Sequence, residues 1–175
     1  DVERIRNTIR PFADRIDVKD VVSNGKQALE LIHDNPDGYD VVIMDFQIAG
    51  GLRGETLIQR IREVDPLLQV VVVTKMTVNI TDFEFAQRLL DAGALWYCTK
   101  YPGDIEEFIY QPTDFILNIF NAYEKKRLEK EKRNSDQRLE KRVRDYLHSK
   151  PIIGESEQNR ELKKMIGQCA ALETH

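Results

Sequence analysis

The sequence has few of the features that mark secreted, metal-structured or membrane proteins. It contains 2 cysteines, Cys98 and Cys169, whose spacing fits neither a disulfide framework nor a zinc site. No apolar run approaches the ~18 residues that a membrane span needs, and we expect no secretory signal. The pattern G-x-x-x-x-G-K-[ST] is absent, which excludes a P-loop nucleotide site in this chain. We therefore expect a soluble protein of a reducing compartment, without membrane contact.

Charge is unevenly distributed along the chain. The formal net charge is -4, yet acidic side chains outnumber basic ones over residues 1–123, whereas basic ones outnumber acidic ones over residues 124–150. A basic run can indicate nucleic-acid binding. Acidic residues interrupt this run throughout, and no helix-turn-helix pattern is visible. We therefore expect a solvated helix there and no direct nucleic-acid binding by this chain.

Three apolar runs predict strands of a parallel sheet. They lack the alternation of a half-exposed strand, which is typical of strands covered on both faces. Amphipathic segments lie between them, so the order of elements predicts βαβ units and an α/β fold with a doubly wound parallel sheet. A shorter run, Val18–Val22, predicts one further strand. The three main runs are Val41–Met44, Gln69–Val73 and Leu95–Cys98.

A polar residue follows each of these three runs. Asp45, Thr74 and Lys100 are therefore expected at the carboxyl edge of the sheet, where ligands bind in such folds. Each alone is more often a helix cap, a turn residue or a solvated lysine. Together they predict phosphoryl transfer, because a carboxylate can form an acyl phosphate while a hydroxyl and an ammonium hold the phosphoryl oxygens. Mg²⁺ would need a further carboxylate, for which Asp1 is the candidate.

These motifs resemble those of the response-regulator receiver family, which has a CheY-like, flavodoxin-like fold. The resemblance covers residues 1–123 and rests on order, spacing and strand context together. The matching segments are Val41–Asp45 with Gly50, Gly51 and Gly54, then Val70–Thr74, then Gly93-Ala94 with Tyr97 and Lys100, and Asn24–Leu29 at the start of the second helix.

The resemblance implies a role for each site residue. Asp45 would accept a phosphoryl group from a sensor histidine kinase, and Lys100 would form a salt bridge with it. Thr74 and Tyr97 would form the switch pair, in which the hydroxyl moves to the phosphate and the ring turns inward. No enzyme activity is expected beyond phosphorylation and dephosphorylation of Asp45. The implied Mg²⁺ ligands are Asp1, Asp45 and the backbone carbonyl of Gln47.

The chain departs from the family pattern in several places. The family's first strand and first acidic residue have no counterpart, and we expect both to precede Asp1 in a longer protein. Ile48-Ala49 replaces the usual Met-Pro, and the loop that follows is one residue longer. Lys75 stands where a small residue is usual, so it is expected to restrict access to the phosphate. Residues 103–112 resemble an insertion before the last helix.

Neither Pro nor Gly occurs from Thr113 to Leu147, which predicts one long helix. Its broken apolar seam indicates partial coiled-coil character and a homodimer formed through this linker helix and the last receiver helix, with a merely solvated helix as the alternative. The seam residues are Ile116, Ile119, Tyr123, Leu128, Lys132, Leu139, Val143 and Tyr146.

The tail after Pro151 resembles the opening of the AAA+ ATPase domain of sigma-54-dependent transcription activators. The expected domains are thus a receiver over residues 1–123, a helical linker over 124–149, and the beginning of the AAA+ domain over 150–175. The resemblance implies sigma-54 RNA polymerase as a partner of the parent protein and a bacterial cytoplasmic location.

Two other functions stay open. A receiver that works without phosphate, only as a dimerisation module, is one, because Lys75 and the missing first strand both weaken the phosphate site. A phosphatase of the haloacid-dehalogenase type is the other, since such enzymes also use a strand-end Asp, a Thr or Ser and a Lys. They carry a second Asp two residues after the first, where this chain has Gln47.

Overall fold

The computed structural model of the protein describes residues 2–47, 54–74, 83–99, 109, 111–149 and 156–172. The chain divides into two units, Asp1–Arg127 and Leu128–His175. The elements are, in order, α1 (Val2–Ile9), a 3-10 helix (Arg10–Phe12), α2 (Gly25–Asp34), β1 (Val41–Asp45), α3 (Glu55–Val64), β2 (Gln69–Thr74), α4 (Phe83–Asp91), β3 (Trp96–Thr99), α5 (Pro112–Ser149) and α6 (Glu157–Leu172).

The three predicted main strands form one parallel sheet in the order β1-β2-β3. Val41 of β1 pairs with Gln69 of β2, and Val71 of β2 pairs with Trp96 of β3. β2 is buried along its whole length because it has a strand on each side, whereas most residues of β1 are half-buried. The predicted α/β architecture with a parallel sheet is therefore confirmed.

Helices cover both faces of the sheet, and each face has its own core. Successive side chains of a strand point to opposite faces, so β2 contributes to both cores. One core contains Met44, Val70 and Val72 with residues of α2, α3 and α4: Ile32, Leu57, Ile58, Ile61, Phe85 and Leu89. The other contains Val71 and Val73 with Ile9 of α1, Ile109, and the start of α5: Phe115, Ile116, Ile119 and Ala122.

Polar side chains at two helix ends fix the turns around the sheet. Asn24 precedes α2, and its side-chain oxygen accepts a hydrogen bond from the N–H of Gln27 at 2.9 Å. Asp65 follows α3, and its Oδ1 accepts hydrogen bonds from the N–H groups of Leu67 and Leu68 at 2.9 and 3.2 Å. The turn held by Asp65 directs the chain straight into β2.

The predicted strand at Val18–Val22 is wrong. This segment has no strand hydrogen bonding among the described residues, and Val18 and Val21 are exposed. Side chains hold it instead: Lys19 donates to the carbonyl of Gly38 at 3.1 Å, and Asp20 accepts from the hydroxyl of Tyr39 at 2.6 Å. None of the three described strands pairs with this run, so it has no ladder to join there.

The long helix is present over Pro112–Ser149, as the sequence predicted. Ile116 and Ile119, the first two residues of the predicted apolar seam, are buried in the core against the sheet and do not face a partner helix. From Leu128 to His148 none of the described side chains is buried, and Leu128 and Tyr146 are exposed. The same helix is thus a core element at its start and a solvated element beyond Arg127.

The second unit contains the distal part of α5 and α6. Leu162 and Met165 of α6 are exposed. Within the described part of the chain, no helix combines the length and apolar character needed to cross a bilayer.

Candidate phosphoacceptor site

Asp45 is the last residue of β1 and lies at the carboxyl edge of the sheet. It pairs with Val73 of β2, and the next N–H, that of Phe46, donates to the carbonyl of Val73 at 3.3 Å. The carboxylate is half-buried, and its Oδ1 accepts a hydrogen bond from the N–H of Gln47 at 3.0 Å. This is an Asx turn, which bends the chain away from the sheet and fixes the orientation of the carboxylate.

Thr74 ends the neighbouring strand at the same edge. It is fully buried and pairs with Thr99 of β3. The residue before it, Val73, is the one that pairs with Asp45 of β1. The structure therefore brings Asp45 and Thr74 to adjacent strand ends, which is the placement that the sequence predicted. Their roles in phosphoryl transfer stay predictions.

Tyr97 lies in β3, opposite Val72, and is half-buried. Its ring packs against the core formed with α2, α3 and α4, where it meets the Phe85 ring edge-to-face at 5.9 Å between centroids. The residues on either side, Trp96 and Cys98, pack against the opposite core. Tyr97 therefore faces the same side of the sheet as α4.

Several predicted site residues lie outside the described residues. They are Asp1, Gly50, Gly51, Lys75 and Lys100, together with most of the proposed insertion. Gln47 is among the described residues and is exposed, and its N–H donates a hydrogen bond to Asp45. The use of its carbonyl as a metal ligand stays a prediction.

A packed aromatic residue next to Asp45 was not predicted from the sequence. Phe46 follows Asp45 directly, and its ring lies against Gly54 at the start of α3. Gly54 has a φ of +57°, and a Cβ there would lie 2.8 Å from the Cζ atom of Phe46. Only glycine suits both the dihedral angle and the space. An aromatic residue beside the acceptor, followed by a glycine-rich loop, was the signal available in the sequence.

The donor atoms at this edge are oxygens, which are the ligands that Mg²⁺ prefers. Among the described residues, no group of three or more His, Cys, Asp or Glu side chains is placed to hold a metal. Mg²⁺, however, commonly keeps several waters and takes one or two carboxylates together with phosphate oxygens. The Asp45 carboxylate is a donor of that class, whereas the Gln47 carbonyl as a further ligand stays a prediction.

Comparisons with known proteins agree with this fold. Residues 2–109 match the model of the response regulator receiver domain. The receiver domain of NtrX from Brucella abortus has a similar structure, with a TM-score of 0.54 and 22% identity over 71% of this chain and 92% of that one. A chain of the CheX-CheY-BeF3-Mg²⁺ complex from Borrelia burgdorferi gives a TM-score of 0.55 at 14% identity, over 70% of this chain and 80% of that one. No curated protein sequence matches the chain.

A longer NtrX chain from Brucella abortus, solved with ATP, gives a TM-score of 0.60 at 22% identity. That match covers 96% of this chain but 32% of NtrX, so this chain spans about a third of that longer protein. At such identities the structural matches show the fold alone. The family model, in contrast, covers more than half of the sequence, and the chain therefore belongs to the response regulator receiver domain family.

Proposed function

We propose that this chain is a phosphorylation-dependent switch of a two-component system, in which Asp45 accepts a phosphoryl group from a sensor histidine kinase. One observation carries the proposal. A half-buried carboxylate, oriented by a main-chain N–H, ends β1 beside the buried Thr74 at the end of β2. A nucleophile and a hydrogen-bond donor at one edge of a parallel sheet suit phosphoryl transfer.

In the proposed reaction an Asp45 carboxylate oxygen forms a bond to phosphorus as the P–N bond of a phosphohistidine breaks. The imidazole nitrogen keeps the electron pair of that bond, and Asp45 becomes an acyl phosphate. The Gln47 N–H holds the carboxylate in place, since it already binds Oδ1. Thr74 donates its hydroxyl to a phosphoryl oxygen, and Lys100 pairs with another.

Mg²⁺ is the proposed cofactor, held by Asp1, Asp45 and the carbonyl of Gln47. When bound, it neutralises negative charge on the phosphoryl oxygens. BeF3 and Mg²⁺ are part of the Borrelia burgdorferi CheX-CheY complex, one chain of which has a fold similar to this one. That similarity supports the same ion here.

We also propose an output through the segment after the receiver. In this proposal residues 1–123 are the receiver, residues 124–149 form a linker helix that dimerises together with the last receiver helix, and residues 150–175 begin a AAA+ domain that engages sigma-54 RNA polymerase. The fold match to the longer NtrX chain extends over 96% of this chain, beyond the receiver, and supports this order. The proposed location is the bacterial cytoplasm.

Intact mass after incubation with Mg²⁺ and acetyl phosphate tests the acceptor. We expect one phosphoryl group on the native chain and none on Asp45→Asn. Asp40→Asn is the matched control, because Asp40 is an exposed aspartate just before β1, at the opposite edge of the sheet. This control should be modified like the native chain.

An adduct that survives Asp45→Asn would contradict the proposal. A native chain that dimerises but takes up no phosphoryl group would instead favour the dimerisation module that works without phosphate. Repeated turnover of p-nitrophenyl phosphate, abolished by Asp45→Asn, would favour the phosphatase.

A further inference from the structure

We propose that Phe85 of α4 is a positioning residue that couples the acceptor turn, residues 45–47, to the ring of Tyr97. The inference rests on the proposed function, since it concerns how a phosphoryl group on Asp45 would be sensed. It adds a residue that lies on neither strand end and that no part of the phosphoryl-transfer chemistry requires.

Three rings form a continuous edge-to-face series. The centroids of Phe46 and Phe85 are 5.1 Å apart with an interplanar angle of 79°, and those of Phe85 and Tyr97 are 5.9 Å apart with 87°. Both pairs have the geometry that aromatic rings prefer, with the edge of one ring directed at the face of the other. Phe85 is the middle ring and is 1% exposed.

The two outer rings belong to the two parts of the proposed switch, the end of β1 at Asp45 and the Tyr97 position in β3. Phe46 follows Asp45 and is bonded through its N–H to Val73, so its backbone moves with the acceptor strand end. Tyr97 lies in β3, two strands away from β1 in the sheet order. Among the described rings, that of Phe85 contacts both, and it does so from outside the sheet, from α4.

Residues at the start of α3 restrict the Phe46 and Phe85 rings of the series. The Phe46 ring packs so closely on Gly54 that a Cβ there would be 2.8 Å from its Cζ atom. The Arg88 guanidinium lies 5.6 Å from the centroid of the Phe85 ring, and its Nε is 3.3 Å from the Oε1 of Glu55 on α3. Because close-packed interiors transmit displacement, a shift of Phe46 would act on Phe85.

The inferred coupling is a difference in contact energy between two states of the acceptor turn. A turn rearranged around a phosphoryl group changes where the Phe46 edge meets Phe85, and this in turn changes the preferred position of the Tyr97 ring. Thr74 acts on the same event from within the sheet, whereas Phe85 acts through α4.

The test follows Tyr97 directly in the full chain labelled with 3-fluorotyrosine. The sequence has 6 tyrosines, so the spectrum is simple, and the Tyr97 resonance is identified by its loss in Tyr97→Phe. Mg²⁺ and beryllofluoride serve as the phosphoryl mimic, and the response is the change in the Tyr97 shift on their addition. In Phe85→Leu we expect this response to fall by at least about threefold while acetyl phosphate still modifies Asp45.

Leu89→Ala is the matched control, because Leu89 is also buried on α4, in the same core, but adds no ring to the series. It should keep most of the Tyr97 response, which separates loss of the ring contact from general loosening of α4. Phe46→Leu removes an outer ring of the series. Because Phe46 is half-buried, this substitution should disturb folding less than Phe85→Leu, and it should reduce the Tyr97 response in the same way.

A full Tyr97 response in both Phe85→Leu and Phe46→Leu, with Asp45 modified, would overturn the coupling and leave the proposed function intact. Equal loss of the response in Leu89→Ala would overturn it as well. Absence of any adduct on the native chain would overturn the proposed function and the coupling together.

Discussion

Charged side chains lie at both the amino and the carboxyl ends of the parallel strands, here called the amino edge and the carboxyl edge, but they differ in burial and in their partners. At the amino edge, Lys126 of α5 has a side chain that is 4% exposed. Its Nζ donates to the carbonyl of Tyr39 and lies 3.6 Å from Asp65 Oδ2 and 3.9 Å from Asp40 Oδ1. This ammonium is enclosed by three oxygen partners from the segments that precede β1 and β2, so it ties the long helix to the start of both strands.

At the carboxyl edge, Asp45 is half-buried and sits on a turn made by its own chain. A buried ion surrounded by partners is costly to disturb, whereas a half-exposed carboxylate can receive an incoming group. A carboxylate thus serves stability at the amino edge, whereas the proposed function gives Asp45 a chemical role at the carboxyl edge, and the two sites differ in how fully the charged groups are buried.

Breaking the amino edge should have the largest effect. We expect Lys126→Met to lower the free energy of unfolding by about 3 kcal/mol, because the carboxylate of Asp65 loses its buried partner. Urea denaturation measures this change. The rate of Asp45 modification by acetyl phosphate in the folded variant should be unchanged, since the substitution lies at the far edge.

Lys125→Met is the control for Lys126→Met, because Lys125 is the preceding residue of α5 and is exposed. A surface substitution of this kind should change the free energy of unfolding by less than about 0.5 kcal/mol. Equal effects of the two substitutions would mean that the amino edge is no more firmly held than the surface.

An intermediate effect is expected at the carboxyl edge. Gly54→Ala should lower the free energy of unfolding by about 2 kcal/mol, because its backbone conformation is nearly restricted to glycine and the new methyl group meets Phe46. Thermal and urea unfolding measure the change. The same substitution in a Phe46→Leu background should cost less, since the clash is relieved. A cost that is identical in both backgrounds would assign the whole effect to the backbone.

The smallest effect is expected at the exposed border of the amino edge, where Tyr39 donates its hydroxyl to Asp20. This hydrogen bond raises the pKa of Tyr39, with smaller contributions from burial and from the negative charge of Asp20. The folded state therefore holds the proton more tightly, and the contact stabilises the fold below the ordinary tyrosine pKa and is lost as pH rises through the raised value.

Asp20→Asn should lower the pKa of Tyr39 toward its ordinary value. An alkaline titration followed by near-ultraviolet absorbance measures this, and Tyr39→Phe identifies the contribution of this ring. Superimposable titrations of the native chain and Asp20→Asn would show that the contact does not persist in solution.

Local patterns were enough to predict the elements that position the site. Strands covered on both faces need a continuous apolar sequence, so the apolar runs revealed where β1 and β2 lie. Asp45 and Thr74 were expected directly after these runs, and each is the last residue of its strand. The long helix was equally accessible, since no Pro or Gly interrupts it.

Contacts between distant parts of the chain were not predictable in this way. Lys126 lies in a mixed-charge run that reads as solvated, and its bond to the Tyr39 carbonyl spans 87 residues. Val18–Val22 has the composition of a strand, but composition does not reveal whether a neighbouring strand exists. The contacts of Phe85 with Phe46 and Tyr97 likewise depend on how α4 packs on the sheet.

The parallel register also shapes how the chain reaches this structure. Val41 pairs with Gln69 and Val71 pairs with Trp96, so each of the two described strand pairs joins strands separated by a whole helix. Loop closure must therefore be completed before any rung can form, and the entropy of closure opposes the early steps of folding. Because β2 belongs to both ladders, we expect its arrival between β1 and β3 to set the rate at which the receiver folds.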